Sequence, residues 1–373
     1  MQARTVFIAL LIAFSFSATN IQAEPIVKAL DCEQLSQTGF NGTRANESIG
    51  FQTSLGPRLP GSVASSILRQ SIKENLSGWD IIETTHHVDN MVLTNLFATW
   101  NKGAGSTVYF AAHYDTRDRA ERDSNESLQN QPILGANDGA SGVAVLLELA
   151  RQIPEMNLSH EITLFFTDGE DQGESPSFLG ARAWSENLSQ ENADLIESFI
   201  LIDMVGDEYL TLAPTYPGNQ SLWNRTTSLF ECDDNVSEVN YASNNSQSVL
   251  DDHVWAMNKG IPSIDIIDIK YGPNASEWQG YWHTHNDTAD KVSADSLEAV
   301  GSMLERGLLS GSWLDIREYP QEEVVQPEIQ DEEQKNPVEK NDQSAVGIII
   351  MACLIFVFSY NAWLIYAETR GEG

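Results

Sequence analysis

The feature that most constrains the fold is a short apolar run that ends in acidic residues. Residues 162–166 are apolar except for one threonine, which is typical of a strand buried on both faces of a sheet. Gly169 permits a sharp turn after it, and Glu170 and Asp171 follow directly. Sites in open α/β sheets form at the carboxyl ends of strands. Adjacent residues there point in different directions, so one carboxylate can bind a metal while the other acts as a general base.

Similar runs recur along the chain and predict a three-layer α/β/α sandwich with a mixed, mostly parallel sheet. Apolar or β-rich runs predict strands at 80–88, 92–100, 107–112, 162–166, 198–205 and 262–268. Helical signals predict helices at 139–153, near 179–188 and at 247–259, and Ser293 is expected to cap a long final helix. Strands that alternate with helices indicate an α/β fold, and a hairpin turn at 89–91 makes the sheet mixed.

Composition limits the partners and the kind of metal site. Acidic residues outnumber basic ones by 54 to 21, which argues against a nucleic-acid partner because phosphate binding needs a basic surface. Three cysteines are too few for a cysteine zinc site, so histidines and carboxylates would hold any metal. Cys353 lies in a hydrophobic tail, which leaves Cys32 and Cys232 as the only possible disulfide pair of the soluble part. Their proximity stays open at this point.

The ends of the chain predict a single-pass protein of the cell membrane. Residues 1–23 have a basic start, a short apolar centre and small residues at the end, as in a cleaved signal peptide. Residues 345–367 are long and apolar enough to cross a bilayer, and the acidic residues 317–344 before them predict a disordered stalk. The domain between the two segments, 24–316, is then extracellular or lumenal, and 368–373 form a short tail. Asn-x-Ser/Thr triplets recur, but an Asn- and Ser-rich chain makes them weak support for export.

Polar residues that follow the apolar runs, or lie in Gly-rich turns, are candidates for a site. Each alone has an ordinary explanation; Asp138, for example, could cap the helix that starts near Gly139. Together they bring histidines and carboxylates from separate elements to one sheet edge, and this is the ligand set expected for zinc. The candidates are His113, Asp115, Asp138, Glu170, Asp171, Asp203, Asp252 and His283.

Five motifs in chain order resemble the zinc aminopeptidase and glutaminyl cyclase family, closest to the animal-type glutaminyl-peptide cyclotransferases and their prokaryotic relatives. The motifs are His113-Tyr114-Asp115, Gly-Ala-Asn-Asp-Gly-Ala-Ser-Gly at 135–142, Asp168-Gly169-Glu170-Asp171, Leu201-Ile202-Asp203 and Trp282-His283-Thr284. The resemblance covers most of residues 50–312. It implies a zinc held by Asp138, Asp171 and His283, and Glu170 as the general acid and base. It further implies that, in the aminopeptidases, His113, Asp203 and a bridging Asp138 hold a second zinc. The family often has Glu at the position of Asp171.

Two activities at peptide N-termini stay open. A glutaminyl-peptide cyclotransferase converts N-terminal Gln to pyroglutamate with release of ammonia and needs one zinc; an aminopeptidase uses two zincs and a water that attacks the first peptide bond. Asp252 resembles a residue of the cyclases' proton-transfer network, and Trp282 resembles an indole that lines their substrate pocket, so both favour the cyclase. An inactive, receptor-like ectodomain is the remote alternative, because no ligand and no general base is missing. The oligomeric state cannot be read from the sequence.

Overall fold

The computed structural model describes residues 32–35, 37–88, 90–173, 178–232, 240–241 and 246–317. All of them lie within one unit of the chain, residues 1–322. The predicted signal peptide and membrane span lie outside the described residues, as does the stalk apart from residue 317. No helix within the described ranges is long and apolar enough to cross a membrane.

A six-stranded mixed sheet forms the centre of the fold. The strands in chain order are Asp80–Val88 (β1), Met91–Trp100 (β2), Thr107–His113 (β3), Glu161–Thr167 (β4), Ile196–Asp203 (β5), Thr211–Leu212 (β6), Thr215–Tyr216 (β7), Asn240–Tyr241 (β8), Gln247–Ser248 (β9) and Ser263–Ile267 (β10). Six of these strands form the central sheet, in the order β1-β2-β4-β3-β5-β10. β1 and β2 form the predicted edge hairpin, β2 runs antiparallel to β4, and the remaining neighbours are parallel. The mixed sheet predicted from the sequence is confirmed.

Helices cover both faces of this sheet. They are Cys32–Leu35 (α1), Gly42–Ser54 (α2), Val63–Asn75 (α3), Ala140–Gln152 (α4), Leu179–Asn187 (α5), Gln190–Ala193 (α6), Gln220–Glu231 (α7), His253–Met257 (α8) and Ala294–Ser310 (α9), with 3-10 turns at Ile153–Met156 and Ala289–Lys291. Alternate strand residues point into two apolar clusters: Phe110 and Leu164 into the one shared with α2, α4 and α9, and Ala111 and Phe165 into the one that contains Trp184 of α5. The inner strands are therefore buried on both faces, and the three layers predicted from the sequence are present.

A side-chain cap is present at the start of α9 but not at the start of α4. The Ser293 side chain accepts a hydrogen bond from the backbone N–H of Ser296, so the predicted cap of α9 is confirmed. The N-cap of α4 is Gly139, which makes no side-chain cap hydrogen bond. Asp138 is therefore not the cap of this helix, and its carboxylate is available for another role.

The predicted helix at 247–259 is wrong over its first half. Gln247–Ser248 forms β9, which pairs with β7, and the helix covers only His253–Met257. The backbone N–H groups of Gln247 and Val249 donate to Pro214 and Tyr216, so these residues belong to a strand pair instead of a helix. Asp251 follows and is 4% exposed. The periodicity of a sequence cannot show that the backbone of a segment forms its hydrogen bonds with a distant part of the chain.

Cys32 and Cys232 form a disulfide; their Cα atoms lie 4.9 Å apart, and the two residues are separated by 200 positions in the sequence. The sequence left the proximity of these two cysteines open, and the structure shows that they are bonded. It joins α1, at the start of the described chain, to the residue directly after α7.

Candidate metal centre

The carboxyl ends of the parallel strands bring the candidate residues to one edge of the sheet. His113 is the last residue of β3 and Asp203 the last of β5. Glu170 and Asp171 follow β4, whose Thr167 stands beside His113 in the parallel register. Because neighbouring parallel strands end at the same edge, these side chains meet there.

Two groups of possible metal ligands share one carboxylate. We name His113, Asp138 and Asp203 the inner triad, and Asp138, Asp171 and His283 the pocket triad. Within each triad, one ligand atom from each residue lies within 4.8 Å of the others, and all five residues are buried. The structure thus brings together all five residues that the sequence predicted as metal ligands. His285, the other histidine of the final motif, lies outside both triads, with Nδ1 3.2 Å from Asp123.

The two triads differ in spacing. In the pocket triad, His283 Nε2 lies 3.3 Å from Asp171 Oδ1 and 3.5 Å from Asp138 Oδ2. Tetrahedral zinc with bonds of about 2.0–2.2 Å separates its ligand atoms by about 3.3–3.6 Å, so this spacing fits the ion. In the inner triad, the distances are slightly shorter: His113 Nε2 lies 3.1 Å from Asp138 Oδ1 and 3.2 Å from Asp203 Oδ1.

Donor chemistry and charge also fit zinc in the pocket triad. Asp171 Oδ2 is buried and makes no hydrogen bond within the described residues, so this oxygen is available to bind a metal ion. Burial lowers the pKa of His283, but Asp171, Glu121 and Asp138 outweigh it and raise this pKa to about 10. The carboxylates therefore favour positive charge at this point, as a metal cation would supply.

Glu121 orients His283, and the sequence did not predict it. Its Oε1 lies 2.9 Å from His283 Nδ1, and Arg117 forms an ion pair with the same carboxylate. Burial opposes ionisation, but the hydrogen bonds from His283 and Arg117 lower the pKa of Glu121 to about 2. A carboxylate that bonds the second nitrogen of a ligand histidine fixes the tautomer and the ring orientation.

Two buried aspartates hold the backbone that carries the ligands. Asp115 accepts hydrogen bonds from the backbone N–H groups of Glu170 and Asp171, at 3.1 and 3.2 Å. Asp287 accepts from the N–H of Asn137 at 2.8 Å and from that of Asp138 at 3.2 Å. Asp115 was among the sequence candidates. Asp287 was not, although it stands in the same short segment as His283.

The general base predicted from the sequence lies beside the ligands in a mostly buried position. Glu170 Oε2 lies 3.8 Å from His113 Nδ1. Burial and the nearby Asp251 raise the pKa of Glu170 well above its usual value. Asp251 lines the pocket with Glu170. The predicted Asp252 is fully buried and accepts a hydrogen bond from Thr167 Oγ1. Asp251, adjacent to Asp252 in the sequence, is thus the aspartate of this pair that faces the pocket.

A pocket of about 450 Å³ opens above the pocket triad. Trp282 forms part of its wall, and the indole stacks on the His283 ring with centroids 3.8 Å apart. Trp278 lies next to Trp282, and the guanidinium of Arg122 lies 5.2 Å from the Trp282 ring centroid. Besides His283, Arg117 and Arg122, the lining consists of apolar and acidic residues: Phe178, Met204, Leu250, Ile267, Trp278 and Trp282, and Glu121, Asp138, Glu170, Asp171, Asp203 and Asp251.

Comparison with known proteins shows the family of the chain. Residues 95–306 match peptidase family M28, and the chain belongs to this family. A glutaminyl-peptide cyclotransferase of Boiga irregularis is 25% identical over 315 residues, covering 72% of this chain and 81% of that protein. The fold resembles a glutaminyl cyclase of Porphyromonas gingivalis (TM-score 0.64, 29% identity, 73% of this chain and 98% of that one). It equally resembles a Zn-dependent exopeptidase of Parabacteroides distasonis (TM-score 0.64, 26% identity, 72% and 98%).

These relatives confirm the family that the sequence motifs indicated. The chain is a zinc-dependent enzyme of the glutaminyl-peptide cyclotransferase or aminopeptidase type.

Proposed function

We propose that the chain is a zinc-dependent glutaminyl-peptide cyclotransferase that converts the N-terminal Gln of peptides or proteins to pyroglutamate. The observation that carries this proposal is the difference between the triads. All three residues of the pocket triad line the pocket, whereas His113 of the inner triad does not. One zinc facing the substrate suits the cyclase reaction, which uses no water.

The chain's own residues can carry the proton in this reaction. In cyclisation, the α-amine nitrogen forms a bond to the side-chain carbonyl carbon of Gln, the bond from that carbon to the amide nitrogen breaks, and ammonia leaves. A zinc held by the pocket triad would supply a Lewis acid for the side-chain amide. Glu170 accepts the proton that the α-amine loses and delivers it to the departing nitrogen. Its raised pKa suits a group that must both take and give a proton near neutral pH.

The residues around Glu170 place the substrate. The Trp282 indole forms a flat apolar wall beside His283, against which the aliphatic part of a Gln side chain can lie. Asp251 lies on the same pocket and supports the protonated form of Glu170. We assign Asp252 a supporting role behind Asp251, because it is fully buried and bonded to Thr167.

A binuclear aminopeptidase is the second candidate. Asp138 belongs to both triads, as a carboxylate that bridges two metals would, and both remaining ligands of the inner triad are present. The similarity to an exopeptidase supports it as well. In this enzyme His113 and Asp203 would hold a second zinc, and Glu170 would take a proton from the attacking water.

Zinc content and two product assays on one peptide decide between these functions. The soluble domain, residues 24–316, is given a peptide that begins with Gln. One assay measures ammonia and a mass loss of about 17 Da, the NH₃ that cyclisation expels; the other measures free Gln. One zinc with ammonia supports the cyclase, and two zincs with free Gln support the aminopeptidase. Neither zinc nor product would favour an inactive, receptor-like ectodomain.

We also propose that the enzyme is exported and anchored in the cell membrane by residues 345–367. The Cys32–Cys232 disulfide supports the first part, since such bonds persist in oxidising compartments. The test is to fractionate cells that make the full chain or a chain ending at residue 344. We expect the full chain in the membrane fraction after alkaline extraction, and the shorter chain in the soluble fraction. Equal release of both would contradict the anchor.

A further inference from the structure

Asn-x-Ser/Thr triplets are more frequent in this chain than its composition explains. The chain has 25 asparagines, and Ser and Thr together make up 55 of its 373 residues. If residue order were random, about four asparagines would begin such a triplet, counted without proline at the middle position. Twelve do: Asn41, Asn46, Asn75, Asn125, Asn157, Asn187, Asn219, Asn224, Asn235, Asn244, Asn274 and Asn286. An Asn- and Ser-rich composition therefore accounts for about a third of them.

The triplets are also confined to one part of the chain. All twelve lie between residues 41 and 286, within the predicted catalytic domain. The asparagines of the predicted signal peptide, stalk and membrane span begin none: Asn20, Asn336, Asn341 and Asn361. All twelve triplets thus lie in the domain that the proposed topology places on the exported side of the membrane.

Most of these asparagines lie on the surface. Ten of the twelve are among the described residues, and eight of those are exposed: Asn41, Asn75, Asn125, Asn157, Asn187, Asn224, Asn274 and Asn286. Asn46 is partly exposed. Asn219 is the exception, because it is 6% exposed and its side chain caps α7 by accepting from the backbone N–H of Leu222.

Asn125 has the most suitable local geometry. Its Oδ1 accepts hydrogen bonds from both the N–H and the hydroxyl of Ser127, at 3.1 and 2.8 Å. Both bonds are made by Oδ1. Neither involves Nδ2, which is the atom that a sugar would be joined to. Asn130 lies on the same loop and is exposed as well, but a Gln-Pro pair follows it and it begins no triplet. On this loop, Asn125 is therefore a candidate glycosylation site, and Asn130 is its control.

We propose that the catalytic domain carries N-linked glycans on the exposed asparagines of these triplets. The donor is an oligosaccharide joined through C1 to a lipid-linked phosphate. Transfer forms a bond from Nδ2 to C1, breaks the bond from C1 to the phosphate oxygen, releases one Nδ2 proton and frees the lipid phosphate. Cys32 and Cys232 form a disulfide in the same domain, which independently indicates the kind of compartment where this transfer occurs. The inference concerns the surface and compartment of the domain and is independent of its reaction.

The test is peptide mass spectrometry of the full chain, purified from the cells that naturally produce it. We expect peptides with Asn125 to carry hexose-containing mass additions in most copies, with similar additions at the other exposed triplets. Asn130 and the buried Asn219 should be unmodified. Ser127→Ala should remove the addition at Asn125 alone, and Ser127→Thr should keep it, since Thr preserves the triplet.

Three outcomes would overturn the proposal. The first is a chain without additions at any exposed triplet. The second is an addition at Asn125 that survives Ser127→Ala, because the modification would then not read the triplet. The third is equal modification of Asn125 and Asn130, which would indicate chemistry at exposed asparagines in general. Folding of each variant is checked by its thermal unfolding, so that loss of the glycan is not confused with loss of the protein.

Discussion

At the scale of single residues, Gly139 decides whether the two triads can form. A Cβ at this position would lie 2.3 Å from Nε2 of His113, the central nitrogen of the inner triad. Atoms this close cannot coexist, so any side chain here must move the histidine or the Asp138 backbone beside it. The glycine is therefore part of the site although it carries no functional group.

Gly139→Ala should lower kcat/KM by about 10²-fold, since a displacement of roughly 1 Å in a catalytic site costs about that much. Gly50→Ala is the matched control. Gly50 lies inside α2, and no atom lies within 4 Å of the point that a Cβ would occupy, so this change should keep activity and raise the free energy of unfolding by about 0.5–1 kcal/mol. Steady-state kinetics and chemical unfolding measure both. Full activity of Gly139→Ala would mean that the triads tolerate a shift of His113.

Glu170→Gln should lower kcat by on the order of 10²-fold or more, while zinc content and folding stay intact. The amide keeps the shape of the side chain but can no longer accept the substrate proton. Glu191→Gln, an exposed substitution on α6, serves as the control and should leave kcat unchanged. Turnover of Glu170→Gln at the wild-type rate would remove Glu170 from the role of proton carrier.

Four of the site residues could be predicted because they stand at or shortly after the end of an apolar run: His113, Glu170, Asp171 and Asp203. Asp138 and His283 were predicted from a Gly-rich turn and from the final motif, and the structure brings all six together. Glu121 could not be predicted in the same way, because it lies on a polar loop 162 residues from His283 and meets it only through the fold. Their roles toward zinc and substrate stay predictions until the variants are measured.

At the scale of elements, strands were easier to predict than the segment between β9 and α8. Buried strands produce apolar runs that need no knowledge of their neighbours. Residues 247–252 instead depend on distant partners, since Gln247 bonds to the carbonyls of Pro214 and Ile267. The segment predicted as one helix, 247–259, therefore contains β9, the buried pair Asp251 and Asp252, and the short helix α8.

The turn after β10 provides a pH-dependent contribution to stability. Asp268 is fully buried, and its carboxylate accepts from the N–H groups of Thr211 at 2.7 Å and Lys270 at 2.8 Å. Burial raises the pKa of Asp268 to about 7, although these hydrogen bonds oppose the shift. Between about pH 4 and pH 7, Asp268 is therefore protonated in the folded protein and ionised in the unfolded chain. The contribution of Asp268 to the free energy of unfolding is present at low pH and is lost as the pH rises through 7.

The free energy of unfolding should therefore increase by about 1 kcal/mol through Asp268 when the pH falls from 8 to 6. Asp268→Asn should remove this part of the pH dependence. Asp295→Asn, in the exposed first turn of α9, should keep the wild-type slope. Urea unfolding at four pH values measures the three slopes. Equal slopes in wild type and Asp268→Asn would mean that Asp268 does not titrate in this range.

At the scale of the whole molecule, the beginning of the described chain is tied to its end. Glu305 of α9 accepts hydrogen bonds from the N–H groups of Gly39 and Phe40, and Arg306 donates to the carbonyl of Leu35. The Cys32–Cys232 disulfide adds a covalent link to α7. The sequence predicted the layers of the fold but not these ties, because residues 32–41 have no periodic pattern and their partners lie far along the chain.

The disulfide should contribute most of its stability by restricting the unfolded chain. Closing a loop of 200 residues removes much of the freedom of that chain, so Cys32→Ser and Cys232→Ser should each lower the free energy of unfolding by about 2–5 kcal/mol. The double variant should lose no more than either single one, because all three lack the same bond. Denaturant unfolding of residues 24–316, with and without a reducing agent, measures this loss. The reducing agent should lower the free energy of unfolding of the wild type only. Losses that add in the double variant would mean that each cysteine stabilises the fold through its own packing instead of through the bond.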